Sequence, residues 1–404
     1  MPLLIALESE FIMLLFRRLS VYLSLICLTS LSTVALASAP TLIPAPPQIA
    51  AKSYIVMDAN SGEVIVEKNA DERLDPASLT KMMTAYVAGY EIRQGNIALD
   101  DQVQVSTNAW AQKFPGSSVM FLEPGKPVTV RELIKGVDIA SGNDATVALA
   151  EHIAGSAGAF VDLMNQHSQL LGLKNTHFVN PHGLTGKDHY SSARDMAILA
   201  RAQIIEFPEG YKTYAQKEFT YNGIRQPNRN RLLWRDSSVD GLKTGHTDAA
   251  GYCLVASALR DDMRLIVVVM GTHSDEARFQ ETQKLFSFGF RFYKTVKLYN
   301  KGQELAKVDV WGGEKDQLGV QVAEDVYVTI PRSQEDGLSA DLSLDKYVQA
   351  VVKKGQTLGE IEIKLNNESL LKQPVIASET VEKGSFLGVL WSKIKLFFVQ
   401  LIGG

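Results

Sequence analysis

The alternation of apolar and polar positions first indicates where the strands lie. Two apolar runs rich in β-branched residues, 53–57 and 63–67, are separated by turn-forming residues at 58–62, and together they predict a β-hairpin. Two further runs of this kind, 252–258 and 264–270, predict another pair of strands much later in the chain. We expect these four strands to meet in one sheet.

Between these strands, apolar residues recur at intervals of three and four, the spacing of a helix that buries one face. The clearest such run, closed by Gly172, comprises Phe160, Leu163, Met164, His167, Leu170 and Leu171. Helix-start signals stand at Asp75-Pro76, Thr129–Glu132 and Ser192–Asp195. A helical block between strands predicts an α/β domain over residues 50–295, with an antiparallel sheet flanked by helices.

Beyond this domain the period changes to two. The runs 308–311, 326–330 and 360–364 alternate apolar and polar residues and are separated by turns rich in Gly and Asp. The pattern predicts a small all-β domain over residues 296–382.

The last residues, 383–404, have helical periodicity again. Apolar side chains recur along one face at Phe386, Val389, Leu390, Ile394, Phe397 and Leu401. Lys393, Lys395 and Gln400 interrupt the apolar run, and lysines in its middle make a membrane-spanning helix unfavourable. We therefore expect an amphipathic helix that lies in a membrane interface as a peripheral anchor. The alternative is a helix docked on the protein itself.

The first residues are typical of an export signal. Arg17 and Arg18 precede an apolar run from Leu19, and the run ends in the small-x-small signal Ala35-Leu36-Ala37. We expect a signal peptide over residues 1–37, with Met13 as an alternative start and with an uncleaved signal anchor as the alternative reading. A Pro-rich linker, 38–49, follows. These features predict a protein exported to the outer, periplasmic face of the inner membrane.

Composition adds mainly exclusions. The 404 residues are 46% hydrophobic and 21% charged, which is ordinary for a globular chain of about two domains. A net charge of −4 gives no reason to expect a nucleic-acid partner. Cys253 is the only cysteine after the signal and is expected to be a buried small side chain. His177, His182 and His189 match no metal-binding spacing, so we expect no metal, although His182 is a candidate to line the site.

Three short motifs stand in order along the chain. They are Ser78-Leu-Thr-Lys81, Ser141-Gly-Asn143 and Lys243-Thr-Gly245. Each motif alone is a weak signal, but the ordered set is typical of class A β-lactamases and penicillin-binding proteins. The order therefore indicates a serine acyl-transfer site.

The local context suits that chemistry. Ser78 follows the helix-start residue Asp75 by three positions, so we expect it in a first helical turn, where backbone amides favour negative charge. Lys81 lies one turn later on the same face. A neutral amine there can accept the hydroxyl proton, and Lys243 is a candidate for the second cation that lowers the lysine pKa. Ser141 is a candidate proton relay. The alternative is that Ser78 and Lys81 are merely exposed first-turn residues.

The third motif is expected just before a strand whose edge an extended peptide can join. Gly245 lacks a side chain, which would allow close approach of a substrate backbone. Thr244 offers a hydroxyl to a carboxylate. The backbone amides of Ser78 and His246 are the natural candidates for an oxyanion hole.

Longer stretches extend the resemblance beyond these triplets. The stretches 75–83, 117–121, 139–145, 228–234 and 239–247 are similar to those of the low-molecular-mass penicillin-binding proteins that act as D-alanyl-D-alanine carboxypeptidases, the peptidase S11 family. The resemblance covers about residues 50–400. It implies a serine β-lactamase/transpeptidase-like catalytic domain, a C-terminal β-domain and an anchoring helix.

The resemblance also implies roles for single residues. Ser78 would be the acyl-enzyme nucleophile, Lys81 its base, Ser141 and Lys243 a proton relay, and Asn143 a ligand of the substrate amide. The substrate would be a peptidoglycan stem peptide ending in D-Ala-D-Ala, and β-lactam antibiotics would acylate the same serine without any cofactor. Arg229 and Arg278 are candidate partners of the terminal carboxylate.

Three other functions compete with this one. A class A-type β-lactamase would need a dedicated deacylating glutamate, and Ser141-Gly142-Asn143 stands where that class usually has S-D-N. A D,D-endopeptidase would cleave cross-links instead of terminal residues. A non-catalytic wall-binding protein would have no need of the intact set Ser78, Lys81, Ser141 and Lys243.

Overall fold

The structure is a computed structural model that describes residues 43–402, apart from the side chains of residue 393 and of residues 398–402. The predicted signal peptide, 1–37, and the first half of the predicted linker lie outside the described residues. The strands, numbered along the chain, are β1 Ser53–Asp58, β2 Val64–Lys68, β3 Gln102–Gln104, β4 Pro127–Thr129, β5 Glu218–Tyr221, β6 Ile224–Pro227, β7 Val239–Thr247, β8 Gly251–Arg260, β9 Met263–Thr272, β10 Tyr293–Tyr299, β11 Glu304–Trp311, β12 Gln317–Val322, β13 Val326–Pro331, β14 Leu338–Leu344, β15 Val348–Gln349, β16 Thr357–Leu365 and β17 Glu368–Ala377.

The helices are numbered in the same way. They are α1 Lys81–Gln94, α2 Val130–Lys135, α3 Asn143–Ala154, α4 Ala157–Leu170, α5 Ala193–Glu206, α6 Pro208–Tyr211, α7 Leu232–Arg235, α8 Asp275–Phe292 and α9 Phe386–Ile402. A π-helical turn, Gly136–Ala140, continues α2, and a 3₁₀ turn, Ala77–Thr80, precedes α1.

The central sheet is antiparallel, with the strand order β2-β1-β9-β8-β7. Because side chains of a strand alternate between faces, Ile55 packs with the core of α1 and α5, and its neighbour Val56 packs against α8 on the other face. The predicted α/β architecture is thereby confirmed. Strand β7 lies at the edge of the sheet.

The helical block forms a separate apolar core beside the sheet. It contains residues of α1, α2 and α3 together with Met120 and Leu122 from the long connection after α1. Helix α2 begins with the predicted capping box, because the Thr129 side chain accepts from the Glu132 amide while Glu132 reaches back to the Thr129 amide. Gly95 ends α1 in the left-handed conformation, which glycine adopts without steric cost.

The all-β C-terminal domain is also confirmed. A six-stranded sheet, in the order β14-β16-β17-β12-β11-β15, and the pair β10–β13 enclose a core of valine, leucine and isoleucine. Several hydrogen bonds tie this domain to the first. The Ser61 and Thr329 hydroxyl oxygens are 2.6 Å apart, Thr295 Oγ1 donates to the Asp58 carboxylate, and Arg332 Nε donates to Phe290 O at 3.0 Å. The change of pattern near residue 297 corresponds to β10, which begins at Tyr293.

The terminal helix α9 leaves much of its apolar face uncovered. Phe386 and Trp391 are 83% and 60% exposed. Ser392 Oγ accepts from Gly312 N at 2.7 Å, which attaches the helix to the end of β11. No single helix within residues 43–402 has both the length and the hydropathy to cross a membrane, and the pair α3 and α4 that reaches them jointly is bent by 83°.

The structure corrects two local expectations. Ser78 lies in the 3₁₀ turn before α1, not in the first α-helical turn, because Leu79 N bonds Pro76 O and Asp75 Oδ1 accepts from Ala77 N. The third motif lies inside β7, not before a strand. Lys243 faces Val255 of β8, and this cross-strand pairing outweighs the low strand preference of Lys and Gly.

Candidate active site

The Ser78 hydroxyl and the Lys81 amine meet at the start of α1. Lys81 Nζ is 3.0 Å from Ser78 Oγ, and the lysine side chain is completely buried. Two carbonyl-type oxygens, Asn143 Oδ1 and His182 O, also accept from Lys81 Nζ, each at 2.6 Å. The lysine is therefore fixed in place and directed at the serine. The reading of Ser78 and Lys81 as exposed first-turn residues is wrong for Lys81.

Burial sets the charge of this amine. Loss of solvation holds the pKa of Lys81 well below its usual value, the nearby Lys243 cation lowers it further, and the Asp144 carboxylate opposes both. An amine with a lowered pKa is neutral for a larger fraction of the time. In its neutral form Lys81 can accept a proton and act as a base.

The second motif is held by an unusual backbone path. The π-helical turn ends at Ser141, whose φ of 61° is left-handed. Ser141 Oγ accepts from Lys243 Nζ at 2.9 Å, and both side chains are buried. This contact joins two motifs that lie 102 residues apart in the sequence.

Both ends of the Asn143 side-chain amide are hydrogen-bonded. Its Oδ1 accepts from Lys81, and its Nδ2 donates to Ser117 Oγ at 2.9 Å. The neighbouring Asp144 is buried and accepts from the amides of Met120 and Leu122 at 2.7 and 2.9 Å. These bonds fix the connection that carries Ser117 against the site. Sequence reasoning assigned no role to Ser117 or to Asp144.

Lys243 has a pKa lowered to about 7. Burial is the main cause, the Arg229 and Arg278 cations add to it, and the Asp138 carboxylate acts against it. Asp138, buried three residues before Ser141, has a pKa raised to about 7 by its own desolvation. This acid was also missed, although an acidic residue inside the apolar run 137–140 was a visible signal.

The loop of residues 181–183 packs against the turn that carries Ser78. Gly183 has a φ of +89°, and a Cβ there would lie only 1.8 Å from Ala77 O, so this position accepts only glycine. Thr84 Oγ1 donates to Pro181 O at 2.6 Å and fastens the same loop to α1. The His182 ring packs edge-on against Phe114, with centroids 5.7 Å apart, and the His182 carbonyl oxygen contacts Lys81.

A neutral histidine, His189, is hydrogen-bonded to the 3₁₀ turn that carries Ser78. His189 Nδ1 accepts from Val179 N at 3.0 Å, so its Nε2 carries the proton and donates to Thr80 Oγ1 at 2.8 Å. Burial lowers the pKa of His189 to about 4. The cationic form is excluded from the folded protein at neutral pH.

This burial predicts an acid-sensitive fold. Unfolded His189 takes up a proton near pH 6.5 and the folded form only near pH 4, so the free energy of unfolding should fall as the pH drops through this window. The loss should reach about 3 kcal/mol by pH 4. Denaturant unfolding measured from pH 7.5 to 4 should show a shallower fall for H189N than for the original protein. H273N, at an exposed histidine, is the control, and equal slopes for H189N and the original protein would contradict the prediction.

The third motif contributes to the site through β7. The missing side chain of Gly245 makes room for the protein itself, since a Cβ would lie 3.0 Å from Pro76 O and 3.2 Å from Ala77 Cβ. The expected close approach of a substrate backbone at Gly245 stays a prediction. Thr244 is nearly buried, and the exposed His246 ring stacks on Tyr252 with centroids 4.0 Å apart.

The two candidate arginines differ sharply. Arg278 is 7% exposed, donates to Gly245 O at 3.2 Å and pairs with Asp275, so it links α8 to β7 within the protein. The expectation that it binds a substrate carboxylate is corrected accordingly. Arg229 is exposed, and no hydrogen bond or ion pair engages it within residues 43–402. The surface salt bridge considered as its alternative role is not formed there.

The described part of the chain contains no group of side chains arranged to bind a metal ion. No three His, Cys, Asp or Glu side chains there lie close enough together to hold an ion. His177 Nδ1 instead lies 2.7 Å from Asp188 O, and His189 is engaged with Thr80.

Comparison with known families and proteins agrees with this geometry. Residues 41–274 match the family described as D-alanyl-D-alanine carboxypeptidase, and residues 293–383 match the penicillin-binding protein 5 C-terminal domain. The D-alanyl-D-alanine carboxypeptidase DacA of Escherichia coli K12 is 48% identical over 368 residues, which cover 90% of this chain and 91% of that protein.

Solved structures show the same likeness. Penicillin-binding protein 5 of Haemophilus influenzae is 45% identical and has a TM-score of 0.80, with 84% of this chain and 100% of that chain covered. Penicillin-binding protein D2 of Listeria monocytogenes, solved in an ampicillin-bound form, is 29% identical with a TM-score of 0.55, and covers 61% of this chain and 100% of its own.

Proposed function

The chain belongs to the D-alanyl-D-alanine carboxypeptidase family of serine peptidases, S11, and on this basis we propose that it cleaves the terminal D-alanine from peptidoglycan stem peptides through an acyl-enzyme on Ser78. The resemblance recognised in the sequence is thereby confirmed, and so is the assignment as a hydrolase. The roles of the individual residues, developed below, are our proposal.

One observation carries the proposal. Lys81 Nζ has three neighbours, and two of them, Asn143 Oδ1 and His182 O, are oxygens that only accept. A neutral amine has two N–H bonds, which these oxygens take. Its lone pair then faces the third neighbour, Ser78 Oγ, whose hydroxyl donates. The arrangement makes Lys81 a base for this one hydroxyl.

Acylation follows from that geometry. Ser78 Oγ attacks the carbonyl carbon between the last two D-alanines while its proton passes to Lys81 Nζ, and the carbonyl oxygen becomes an anion. The backbone amides of Ser78 and His246 are the proposed donors to this oxyanion. The C–N bond then breaks, and the leaving amine takes its proton from the paired Ser141 and Lys243. D-Alanine leaves, and Ser78 carries an ester.

Water completes the cycle by attacking this ester. The Ser141–Lys243 relay, which gave a proton to D-alanine, takes one from the water, and Lys81 returns its proton to Ser78 Oγ as the shortened peptide leaves. Penicillin would enter at the first step, since its lactam carbonyl takes the place of the peptide carbonyl. The ampicillin-bound relative is consistent with that entry. The experiment that tests the function supplies a pentapeptide ending in D-Ala-D-Ala and a cross-linked dimer separately. D-Alanine release from the first identifies the carboxypeptidase, and cleavage of the second alone would identify an endopeptidase.

Recognition of the terminal carboxylate is assigned to Arg229 and Thr244. Arg229 is an exposed cation whose charge is felt at Lys243, so it lies near the relay. Thr244 follows Lys243 on the edge strand β7, and its hydroxyl is the second proposed partner of the carboxylate. A guanidinium suits a carboxylate because it donates two parallel hydrogen bonds.

Replacing Arg229 by glutamine should therefore lower kcat/KM for D-alanine release by about 10- to 100-fold, the worth of a charge-assisted hydrogen bond. The matched control is R231Q, two residues away, where the arginine pairs with Asp275 at 3.2 Å. A substrate with a C-terminal amide should be poor for the original enzyme and no poorer for R229Q. An R229Q enzyme that still distinguishes acid from amide would contradict the assignment.

Attachment to the membrane is proposed for helix α9. Its exposed apolar residues include Phe386, Trp391 and Phe397, and Lys395 is exposed on the same helix. An apolar face beside lysines favours an interface that contains anionic lipid. Together with the signal expected over 1–37, this supports our proposal that the enzyme acts at the periplasmic face of the inner membrane.

Vesicle binding tests the anchor. The double variant F386D/W391D should lose sedimentation with phosphatidylglycerol-containing vesicles by roughly tenfold or more, because each side chain contributes its apolar burial. L170D is the matched control, since Leu170 is 81% exposed but lies on α4. Binding should also weaken in high salt. Equal sedimentation of the double variant and of L170D would count against an anchor at α9.

A further inference from the structure

A cavity whose lining includes none of Ser78, Lys81, Ser141 and Lys243 lies in the same domain. It has a volume of about 590 Å³ and is bounded by α1, α2, α5 and the segment 207–216. This size is typical of sites for small organic ligands. Most of the wall is apolar, with contributions from Ala85, Ile92, Leu99, Ile134, Phe207 and Tyr211.

Two buried oxygens in the lining accept no hydrogen bond within residues 43–402, although the Tyr214 hydroxyl interacts with the Asp138 carboxylate. Asp138 and Gln203 are 3% and 4% exposed, and neither Asp138 Oδ1 nor Gln203 Oε1 accepts a hydrogen bond from any described residue. The Gln203 amide is oriented by its other end, because Nε2 donates to Met82 O at 3.0 Å and to Tyr214 at 3.1 Å. Both unpaired atoms are acceptors, so the cavity suits a ligand that donates.

Three of the cations at the rim are paired with acids, and a fourth, the half-buried Lys135, has no hydrogen bond or ion pair among the described residues. Arg93 pairs with Glu206 at 3.3 Å and Lys212 with Glu209 at 2.7 Å, both on residues that line the cavity. Arg131 pairs outward with Asp100 at 2.9 Å. The carboxylate of Asp138 is the deeply buried acidic group of the lining, and a positively charged donor complements it.

Asp138 also links the cavity to the catalytic side. It lies in the π-helical turn that ends at Ser141, and its carboxylate is the charge that acts most strongly on Lys243. A donor bound to Asp138 alters the field at Lys243 without entering the active site.

We propose that this cavity binds a small apolar molecule with a hydrogen-bond-donating cationic nitrogen head, an amine or amidine, and that the bound head acts on Lys243 through Asp138. The binding half of the inference is independent of the proposed function. The coupling half rests on the proposed role of Lys243.

Benzamidine is a suitable probe, since it joins two N–H donors to an apolar ring. Titration calorimetry on the whole chain should show one site, and prior acylation by penicillin should leave that site unchanged. D138N should weaken binding by about tenfold or more, as expected for loss of a charge-assisted bond. The control E209Q, at a rim carboxylate, should not. I134W fills the cavity without altering Asp138 and should abolish binding, which keeps the test valid if D138N fails to fold.

Activity provides the second readout. Saturating benzamidine should change the rate of D-alanine release by about twofold or more, and this response should disappear in D138N. Absence of binding, or its loss on penicillin acylation, overturns the cavity site. Binding with an unchanged rate overturns the coupling. An enzyme that binds benzamidine but releases no D-alanine refutes the proposed function and leaves the site standing.

Discussion

Replacing Ser78 by alanine should abolish D-alanine release and covalent labelling by penicillin together. Both reactions begin with a bond from the same oxygen, and no other hydroxyl lies against the Lys81 amine in the described residues. Loss of a serine nucleophile lowers kcat by on the order of 10⁴-fold or more. The rate of D-alanine release and the mass of the penicillin-treated protein are the two measurements.

The matched control for this experiment is S141A. Ser141 is the other motif serine, and its hydroxyl is bonded to Lys243. It should label more slowly with penicillin but still gain the adduct mass. An adduct that persists in S78A, or that vanishes only in S141A, would place the nucleophile elsewhere and refute the proposed reaction. Unfolding midpoints should be alike, because Ser78 is only half-buried.

Replacing Lys81 by arginine should be nearly as damaging. The variant keeps a positive charge and hydrogen-bond donors at the site, but a guanidinium does not lose its proton in proteins. If the lowered pKa of Lys81 serves to make a base, acylation should slow by about 10²- to 10⁴-fold, the usual contribution of general base catalysis. Rapid mixing with a coloured cephalosporin measures the acylation step directly.

A second variant separates base chemistry from disturbed packing. K81A leaves space beside Ser78, and added methylamine should restore part of its acylation rate in proportion to the neutral amine present. Guanidine, which stays charged, should not restore it. If K81R acylates at the original rate, the lysine acts through its charge alone, and the proposed proton transfer is wrong.

The reaction type could be predicted because the three catalytic motifs and their order along the chain are visible in the sequence alone. Ser78 and Lys81 lie three positions apart, so local geometry alone brings them together. The sequence also indicated both domains, since period-two runs mark the β-domain and helical spacing marks the block between the sheet strands. The predicted domain boundary at residue 296 differs by a few residues from the start of β10 at Tyr293. Hydrogen bonding to a partner strand extends a strand beyond the residues that alternate in polarity.

Other parts of the site depended on contacts that no local pattern encodes. Arg278 carries the right charge to bind a carboxylate, but its side chain is buried and binds Gly245 O and Asp275. The missing side chain of Gly245 also allows the close approach of residues 76–79, which the sequence did not indicate. In both cases the residue type was visible, while its neighbour came from a distant segment.

The sequence by itself therefore determined the reaction type, the nucleophile candidate, the two-domain order and the amphipathic end of the chain. Only the tertiary structure decided the protonation of the site. Burial of Lys81, Lys243 and Asp138 within one shared interior shifts all three pKa values, and the Ser141 contact to Lys243 crosses 102 residues. Desolvation and charge coupling depend on distances in space, so they exist only once the chain has folded.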